Sequence, residues 1–186
     1  MTSLRATVPQ VPLDLAWLGA RPDALDFSRV LFLDIDGVLH PEMPTELPRF
    51  CYLANLADCL RRVDPDARVP VVISSDWKLY YPLSDLRTQL SPDIARQVVG
   101  VTPDHFGWPD RNRQSEIADW MTQHAPDGAW LAIDDRAHWF DPGCQQLFHV
   151  AGVRDGGPGG LDKATCRQLE GEGRLREFLA RDAGRA

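Results

Sequence analysis

The sequence has no excess of basic residues and no long apolar run. Its 20 Lys and Arg stand against 27 Asp and Glu, so the formal net charge is −7, which argues against binding nucleic acid through overall charge, although not against a local basic patch. No stretch approaches the roughly 20 apolar residues that cross a bilayer. Within the first twenty residues, Asp14 and two prolines interrupt the apolar stretch, so a signal-peptide core is missing. We therefore expect a cytoplasmic protein without a membrane partner.

Cysteine is also scarce, and its spacing excludes the common metal and redox motifs. The four cysteines form no C-x-x-C pair and have no histidine at zinc spacing, so we expect reduced thiols. A chain of 186 residues with 44% hydrophobic and 25% charged residues fits one globular domain. We find no internal repeat. We place a single domain at residues 29–182 and an N-terminal arm, hard to assign, at residues 1–28.

Short apolar runs alternate with helical patterns along the chain. Near-continuous apolar runs are typical of strands buried on both faces of a parallel sheet, and strands that alternate with helices indicate βαβ units. We therefore predict an α/β protein, a three-layer α/β/α sandwich around a mostly parallel five-stranded Rossmann-like sheet. The predicted strands are 30–34, 69–74, 97–102, 130–134 and 146–150, and the clearest predicted helices are 52–63, 83–90 and 113–124.

Polar residues follow three of the predicted strands at the point where each strand ends. They are Asp34 and Asp36 after the first, Ser74 and Ser75 after the second, and Asp134 and Asp135 after the fourth. Because the carboxyl ends of parallel strands meet at one edge of the sheet, where such folds bind ligands, we expect these side chains to converge. Four buried carboxylates need a counter-charge. A hard divalent cation with oxygen ligands supplies it, and Mg²⁺ is the cation we expect.

Each of these motifs also has a purely structural interpretation. Asp34-Ile35-Asp36-Gly37 is compatible with a solvated turn that closes a strand, and either serine or one acid of Asp134-Asp135 with a helix cap. The turn interpretation is disfavoured because the run before Asp34 is apolar and other acids converge on the same edge. A cap explains one acid of the second pair but not both.

The motifs occur in an order that resembles the haloacid dehalogenase (HAD) superfamily of phosphatases. The segments FLDIDGVLHP, VVISSDWK, VTP, RQSEIADWM, LAIDD and GLDKATC are more narrowly similar to the HAD-type domain of Swiss Army Knife RNA repair proteins. This resemblance covers roughly residues 30 to 170. Asp-x-Asp-Gly after a strand is only moderately specific, whereas the ordered set of motifs is a strong signal.

The resemblance implies roles for the acidic residues. Asp34 is expected to attack phosphorus and form an aspartyl phosphate, and Asp36 to act as general acid and then as general base, which requires an environment that shifts its pKa. Asp134 is expected to bind the metal ion, and Asp135 to be a further ligand or to orient bound water. Asp34 would add a side-chain oxygen to the metal site and Asp36 its backbone carbonyl.

The resemblance also implies residues that bind phosphate. Ser74 is the expected hydroxyl, with Ser75 as the second candidate. A cation near the start of the helix before the last acidic motif is expected as well. Arg113 fits this place, Arg111 competes with it, and Lys78 is expected to add a second positive contact. A surface arginine remains the plain alternative for Arg113, although a cation at a helix N-terminus opposes the helix dipole.

The expected site is open, because residues 40–51 leave room for only a short flap and not for a large cap. His40, Pro41 and the Gly-rich loop 152–160 are expected to line its mouth. Three tryptophans could stack on a base or sugar, although such residues more often belong to the core. They are Trp77, Trp108 and Trp139.

Three functions are compatible with these features. The leading one is a Mg²⁺-dependent phosphatase that acts on phosphorylated nucleic-acid ends or on nucleotides; a phosphatase of small metabolites is the second. The third is a non-catalytic phosphate-binding or signalling module, since receiver domains also combine acids, a hydroxyl and a lysine. There the phosphorylated aspartate ends a later strand, whereas Asp34 belongs to the first motif. A dehalogenase proper is disfavoured because carbon–halogen cleavage does not need the acid at Asp36.

Overall fold

Five parallel strands form the centre of the molecule. The computed structural model describes residues 10–15, 25–42, 46–105, 112–171 and 174–180. The strands lie in the order β3-β2-β1-β4-β5, and every pairing between neighbours is parallel. Their bounds are β1 Arg29–Leu33, β2 Val71–Ile73, β3 Val98–Val101, β4 Ala129–Asp134 and β5 Leu147–His149. Each predicted run overlaps one strand, and the predicted α/β fold is confirmed.

Strand β1 lies in the middle of the sheet, and its apolar side chains from Val30 to Leu33 are buried on both faces. Leu31 and Leu33 point into the hydrophobic core on one side of the sheet, and Val30 and Phe32 into the core on the other. Alternate residues of a strand face opposite sides, so a strand buried on both faces needs an unbroken apolar run. The run 30–33 satisfies this requirement, and Asp34 is the first residue beyond it.

Helices cover both faces of the sheet. Leu56 of α1, Leu86 of α2, Ile94 of α3 and Leu169 of α5 pack into the first core, whereas Trp120 of α4 packs into the second, with its ring edge-on to that of Phe32. This is the predicted three-layer arrangement. The helices are α1 Leu53–Val63, α2 Leu83–Gln89, α3 Pro92–Ala95, α4 Arg113–His124, α5 Lys163–Gly171 and α6 Leu175–Ala180.

Part of the predicted N-terminal arm packs beside β3. The backbone N–H of Asp14 donates to the carbonyl of Val99 at 3.0 Å, and Arg87 Nη2 donates to the carbonyl of Asp14 at 3.0 Å. Leu13 and Leu15 pack against the second core. Residues 1–9 and 16–24 lie outside the described residues, so the boundary of the arm stays a prediction.

Short helical segments were not predicted. Helix α3 has four residues, and three single 3₁₀ turns lie at Asp76–Leu79, Ala137–Trp139 and Val153–Asp155. Such segments are too short to show helical periodicity. Between β1 and α1 the described residues contain no inserted helix or strand. Within the described ranges, no helix has the length and apolarity to span a membrane.

Candidate active site

Three carboxylates converge at the carboxyl edge of the sheet. Asp34 follows β1, Asp134 ends β4 and Asp135 comes next in the chain. Since Leu33 pairs with Ile133 in the neighbouring strand, the first two acids lie side by side. One oxygen from each of the three carboxylates lies within 4.8 Å of the others. This spacing allows a single cation to contact all three side chains.

The cluster of Asp34, Asp134 and Asp135 lacks enough positive charge of its own. Burial raises the pKa of Asp34 despite the nearby Arg113 guanidinium, and burial together with the Asp34 charge raises the pKa of Asp134 well above its usual value. Burial, followed by the charges of Asp34 and Glu42, raises the pKa of Asp135 to about 7. Asp134 Oδ2 and Asp135 Oδ1 are buried and have no hydrogen-bond partner among the described residues. A divalent cation with oxygen ligands fits this donor set.

Gly37 allows Asp135 to reach the cluster. The glycine has a φ of +70°, and a Cβ atom built on it would lie 2.0 Å from Asp135 Oδ2. The left-handed backbone and the close approach of a carboxylate both require a residue without a side chain. The Gly of the Asp-x-Asp-Gly motif therefore shapes the site directly.

Asp36 has a different environment from the three clustered acids. Its side chain is 39% exposed; His40 Nε2 lies 3.0 Å from Oδ1, and Trp77 Nε1 donates to Oδ2 at 2.8 Å. Burial would raise the pKa of Asp36, but the contacts with His40 and Trp77 outweigh it and hold the pKa below its usual value. We expected burial beside other acids to shift this pKa; the shift is instead downward, because two side chains stabilise the carboxylate.

The two serines after β2 differ in their contacts. The Ser75 side chain hydrogen-bonds Asp34 and accepts from the backbone N–H of Trp77 at 3.5 Å, so it caps the following 3₁₀ turn. The Ser74 hydroxyl is buried, and no described residue is its hydrogen-bond partner. Ser74 therefore has the hydroxyl that remains available to a ligand.

Arg113 is a buried cation beside the acids and not a surface arginine. Its Nε lies 3.4 Å from Asp134 Oδ2, and its Nη1 lies 3.3 Å from Glu116 Oε2. Its guanidinium carbon lies 4.9 Å from the centre of the Trp139 ring. Burial by itself would lower the pKa of Arg113. The charges of the surrounding acids, of which Asp34 has the largest effect, raise the pKa by more, so the net shift is upward. These acids explain why a cation stands at the start of α4, which the sequence alone did not explain. Arg111, the other candidate, lies outside the described residues.

The ammonium group of Lys78 contacts three groups of the protein itself. Its ammonium group donates to Thr102 Oγ1 at 2.7 Å, to the carbonyl of Pro103 at 3.1 Å and to Glu116 Oε2 at 2.5 Å. An ammonium has three hydrogens, so these contacts use all of them. The expected contact between Lys78 and phosphate stays a prediction. Lys78 fixes Glu116, which also contacts Arg113.

Glu116 and Thr102 are the site residues that sequence reasoning missed. Glu116 is 1% exposed, and its carboxylate contacts the side chains of Lys78, Arg113 and Thr102. The available signals were weak: an Arg and a Glu three residues apart on α4, and one polar residue after β3. Both patterns are ordinary on a helix surface or at a strand end.

Two of the tryptophans that could stack on a base or sugar, Trp77 and Trp139, have different surroundings. Trp139 lies against two guanidinium groups, with the Arg113 and Arg136 carbons 4.9 and 4.7 Å from its ring centre. Trp77 lines a cavity next to Asp36. Trp108 lies outside the described residues.

Comparison with known proteins identifies a family. The family model for the HAD domain in Swiss Army Knife RNA repair proteins matches residues 30–154, the part of the chain that carries β1 from Val30 onward, β2 to β5 and every acid of the site. Searches of curated proteins and of solved structures gave no match. The chain therefore belongs to the family of HAD domains found in Swiss Army Knife RNA repair proteins.

Proposed function

We propose that the protein is a Mg²⁺-dependent phosphomonoester hydrolase in which Asp34 accepts the phosphoryl group. The observation that carries this proposal is the convergence of Asp34, Asp134 and Asp135 within 4.8 Å, beside a buried arginine. Membership of a HAD family favours a hydrolase of phosphate esters over the other functions that clustered acids permit. We expect nucleotides or phosphorylated nucleic-acid ends as substrates, with small-metabolite phosphates as the alternative.

The residues that would hold the metal ion are those with uncompensated charge. Asp34, Asp134 and Asp135 would each offer one carboxylate oxygen, and the family resemblance adds the backbone carbonyl of Asp36. When bound, Mg²⁺ neutralises charge on the phosphoryl oxygens that face it. The raised pKa of Asp135, about 7, supports the fit, because burial and then the charges of Asp34 and Glu42 disfavour its ionised form without a cation.

Asp34 and Asp36 would divide the chemistry between them. An oxygen of Asp34 attacks phosphorus, the bond from phosphorus to the leaving oxygen breaks, and Asp36 gives that oxygen a proton. Asp36 then takes a proton from the water that hydrolyses the aspartyl phosphate. Its contacts with His40 and Trp77 lower its pKa in the free protein. The negative charge of an incoming phosphate raises that pKa again, which allows Asp36 to carry the proton.

Arg113 and Ser74 would bind the phosphoryl oxygens. Arg113 keeps its charge because its pKa is raised by the surrounding acids, against the effect of burial. A preorganised, buried cation stabilises developing charge more strongly than a solvated one. The Ser74 hydroxyl has no other partner among the described residues, so it can donate to a phosphate without breaking an existing hydrogen bond.

Hydrolysis of p-nitrophenyl phosphate with Mg²⁺ tests the proposal. We expect turnover that a chelator abolishes and that Asp34→Asn lowers by a factor on the order of 10⁴ or more. Asp58→Asn is the matched control, because Asp58 is an exposed acid paired with Arg61, and should keep full activity. No turnover by the wild-type protein on a broad panel of phosphomonoesters would favour a non-catalytic phosphate-binding module instead.

A further inference from the structure

A cavity of about 560 Å³ opens beside Asp36. Its walls come from two segments, the chain that follows β1 and the chain that follows β2, so it lies on the same sheet edge as the acidic cluster. The lining residues on which the following inference depends are Asp36, Leu47, Arg49, Trp77, Tyr80 and Tyr81. Ligand pockets have volumes of roughly 300–1,000 Å³, and the cavity falls within that range.

The cavity carries large apolar side chains that the fold leaves exposed. Tyr80 is 76% exposed, Leu47 51% and Tyr81 43%. Grouped apolar side chains at a surface are unfavourable in water and mark a binding site more often than a chance arrangement. Since the cavity adjoins the proposed general acid, the group that it binds is the leaving group of the substrate.

Trp77 makes one wall of the cavity rigid. Its Nε1 donates to Asp36 Oδ2 at 2.8 Å, and the edge-on rings of Phe50 and His40 pack against it with centroids at 5.4 and 6.0 Å. The Tyr81 ring lies 5.2 Å from the Trp77 ring, tilted by 35°. Two neighbouring aromatic rings, one of them fixed in place, form a surface on which a planar group can stack.

The charges around the cavity favour a largely neutral ligand portion. The Arg49 guanidinium carbon lies 5.5 Å from the centre of the Trp77 ring. The acids Glu42 and Asp76 also line the cavity, and they are paired with Arg136 at 2.6 Å and Arg113 at 3.6 Å. Acids of this kind repel additional phosphates but accept hydrogen bonds from hydroxyl and amino groups.

We propose that this cavity binds the nucleoside portion of a nucleoside monophosphate. The base stacks against Tyr81 and Trp77 with Arg49 nearby, the hydroxyl and amino groups contact the acids at the rim, and the phosphate reaches Asp34. This inference rests on the proposed function, because it assigns the leaving group of that reaction. A free nucleotide and the terminal nucleotide of a strand share this chemistry.

Calorimetric titration tests the cavity without depending on turnover. The protein is Asp34→Asn with Mg²⁺, and the ligands are AMP and ribose 5-phosphate, which lacks the base. We expect AMP to bind at least about 5-fold more tightly than ribose 5-phosphate. Adding Tyr81→Ala should weaken AMP binding by about 5- to 150-fold, the range measured for loss of one base–aromatic stack, and should weaken ribose 5-phosphate binding much less. Tyr81→Phe, which keeps the ring, should restore AMP binding.

Each outcome of this experiment is informative. Equal affinity for AMP and ribose 5-phosphate, or an equal loss for both in Tyr81→Ala, would overturn the nucleoside site. Binding of neither ligand would overturn it as well. If the wild-type protein hydrolyses no phosphomonoester of the broad panel yet Tyr81 still discriminates AMP from ribose 5-phosphate, the proposed function fails and the nucleoside site stands.

A further ligand separates the two sources of the nucleotide. A 5′-phosphorylated oligonucleotide that binds more tightly than AMP, with Tyr81 dependence and with an affinity that falls as salt rises, supports the end of a strand. Tighter binding of AMP supports a free nucleotide. Both results support the cavity as a nucleoside site.

Discussion

Glu116→Gln should destabilise the protein strongly, although Glu116 lies outside the cluster of acids that we propose for the metal. Its carboxylate lies 2.5 Å from Lys78 Nζ and 3.3 Å from Arg113 Nη1, and Thr102 Oγ1 lies 3.2 Å away. The glutamine keeps the shape of the side chain but removes its charge. Two buried cations then face each other without the anion between them.

The size of the expected loss of stability follows from the burial of Glu116, Lys78 and Arg113. Removing one partner of a buried ion pair costs about 3–5 kcal/mol, because the remaining charge stays buried without compensation. A domain of this size has a free energy of unfolding of about 5–15 kcal/mol, so Glu116→Gln should remove a large share of it. At about 2–4 °C per kcal/mol, the midpoint of thermal unfolding should fall by about 6–20 °C.

The loss of stability should shrink at high pH. Burial lowers the pKa of Lys78 from its ordinary 10.5, although the Glu116 charge opposes this shift. Between the lowered pKa and 10.5 the unfolded chain holds a proton that the folded protein has released, so stability rises with pH across this window. Without the Glu116 charge the pKa of Lys78 falls further and the window begins at a lower pH. Glu116→Gln should therefore recover part of its lost stability between pH 7 and pH 9.5.

Urea denaturation at pH 7 and at pH 9.5 measures both effects. Asp58→Asn is the control, since Asp58 and Arg61 form an ion pair at 2.6 Å in which both side chains are more than half exposed, and such pairs contribute little. A Glu116→Gln protein as stable as Asp58→Asn at pH 7 would refute the reasoning. A deficit that does not change with pH would show that Lys78 keeps its proton and that the account of its pKa is wrong.

Three further predictions concern the metal site, a glycine and the thiols. Mg²⁺ should raise the melting temperature more at pH 8 than at pH 6, because protons compete for Asp135, whose pKa is about 7 without an ion; a shift independent of pH in differential scanning fluorimetry would contradict this. Gly37→Ala should lower the unfolding free energy by more than the roughly 1–2 kcal/mol of a left-handed backbone alone, which Gly143→Ala measures separately, since both glycines have positive φ but only Gly37 faces a close neighbour. Cys59 and Cys166, whose pKa values burial raises to about 11 and about 12, should react with a thiol reagent at pH 8 only after unfolding with urea.

Most of the fold could be predicted because its signals are local. The run 30–33 had to be a strand buried on both faces, since it is apolar without interruption and ends abruptly on Asp34. The helix at Arg113–His124 could be predicted to its ends. Helix α3 could not, because four residues complete little more than one turn and show no periodicity.

The site was predictable only where topology alone determines it. Parallel strands bring their carboxyl ends to one edge, so Asp34 and Asp134 were expected at the same edge once the strands were assigned. The role of Lys78 depends instead on how a 3₁₀ turn, the end of β3 and helix α4 lie against one another. Glu116 is 38 residues from Lys78 in the chain, and nothing in the spacing indicates that they form an ion pair. Lys78 therefore forms an ion pair that its position in the sequence does not indicate.

The distribution of positive charge among the described residues explains why we propose a metal site at one group of acids and not at the others. Lys78 and Arg113 compensate Glu116, and His40 and Trp77 stabilise the carboxylate of Asp36. Asp34 and Asp134 share Arg113, which also lies beside Glu116. Arg136 lowers the pKa of Asp135, but burial and the charges of Asp34 and Glu42 raise it by more. Among the described residues, these three acids thus lack positive charge at the sheet edge, where one oxygen of each lies within 4.8 Å of the others. We therefore expect this site to bind a cation, and a further lysine directed at the cluster would weaken binding by neutralising its ligands.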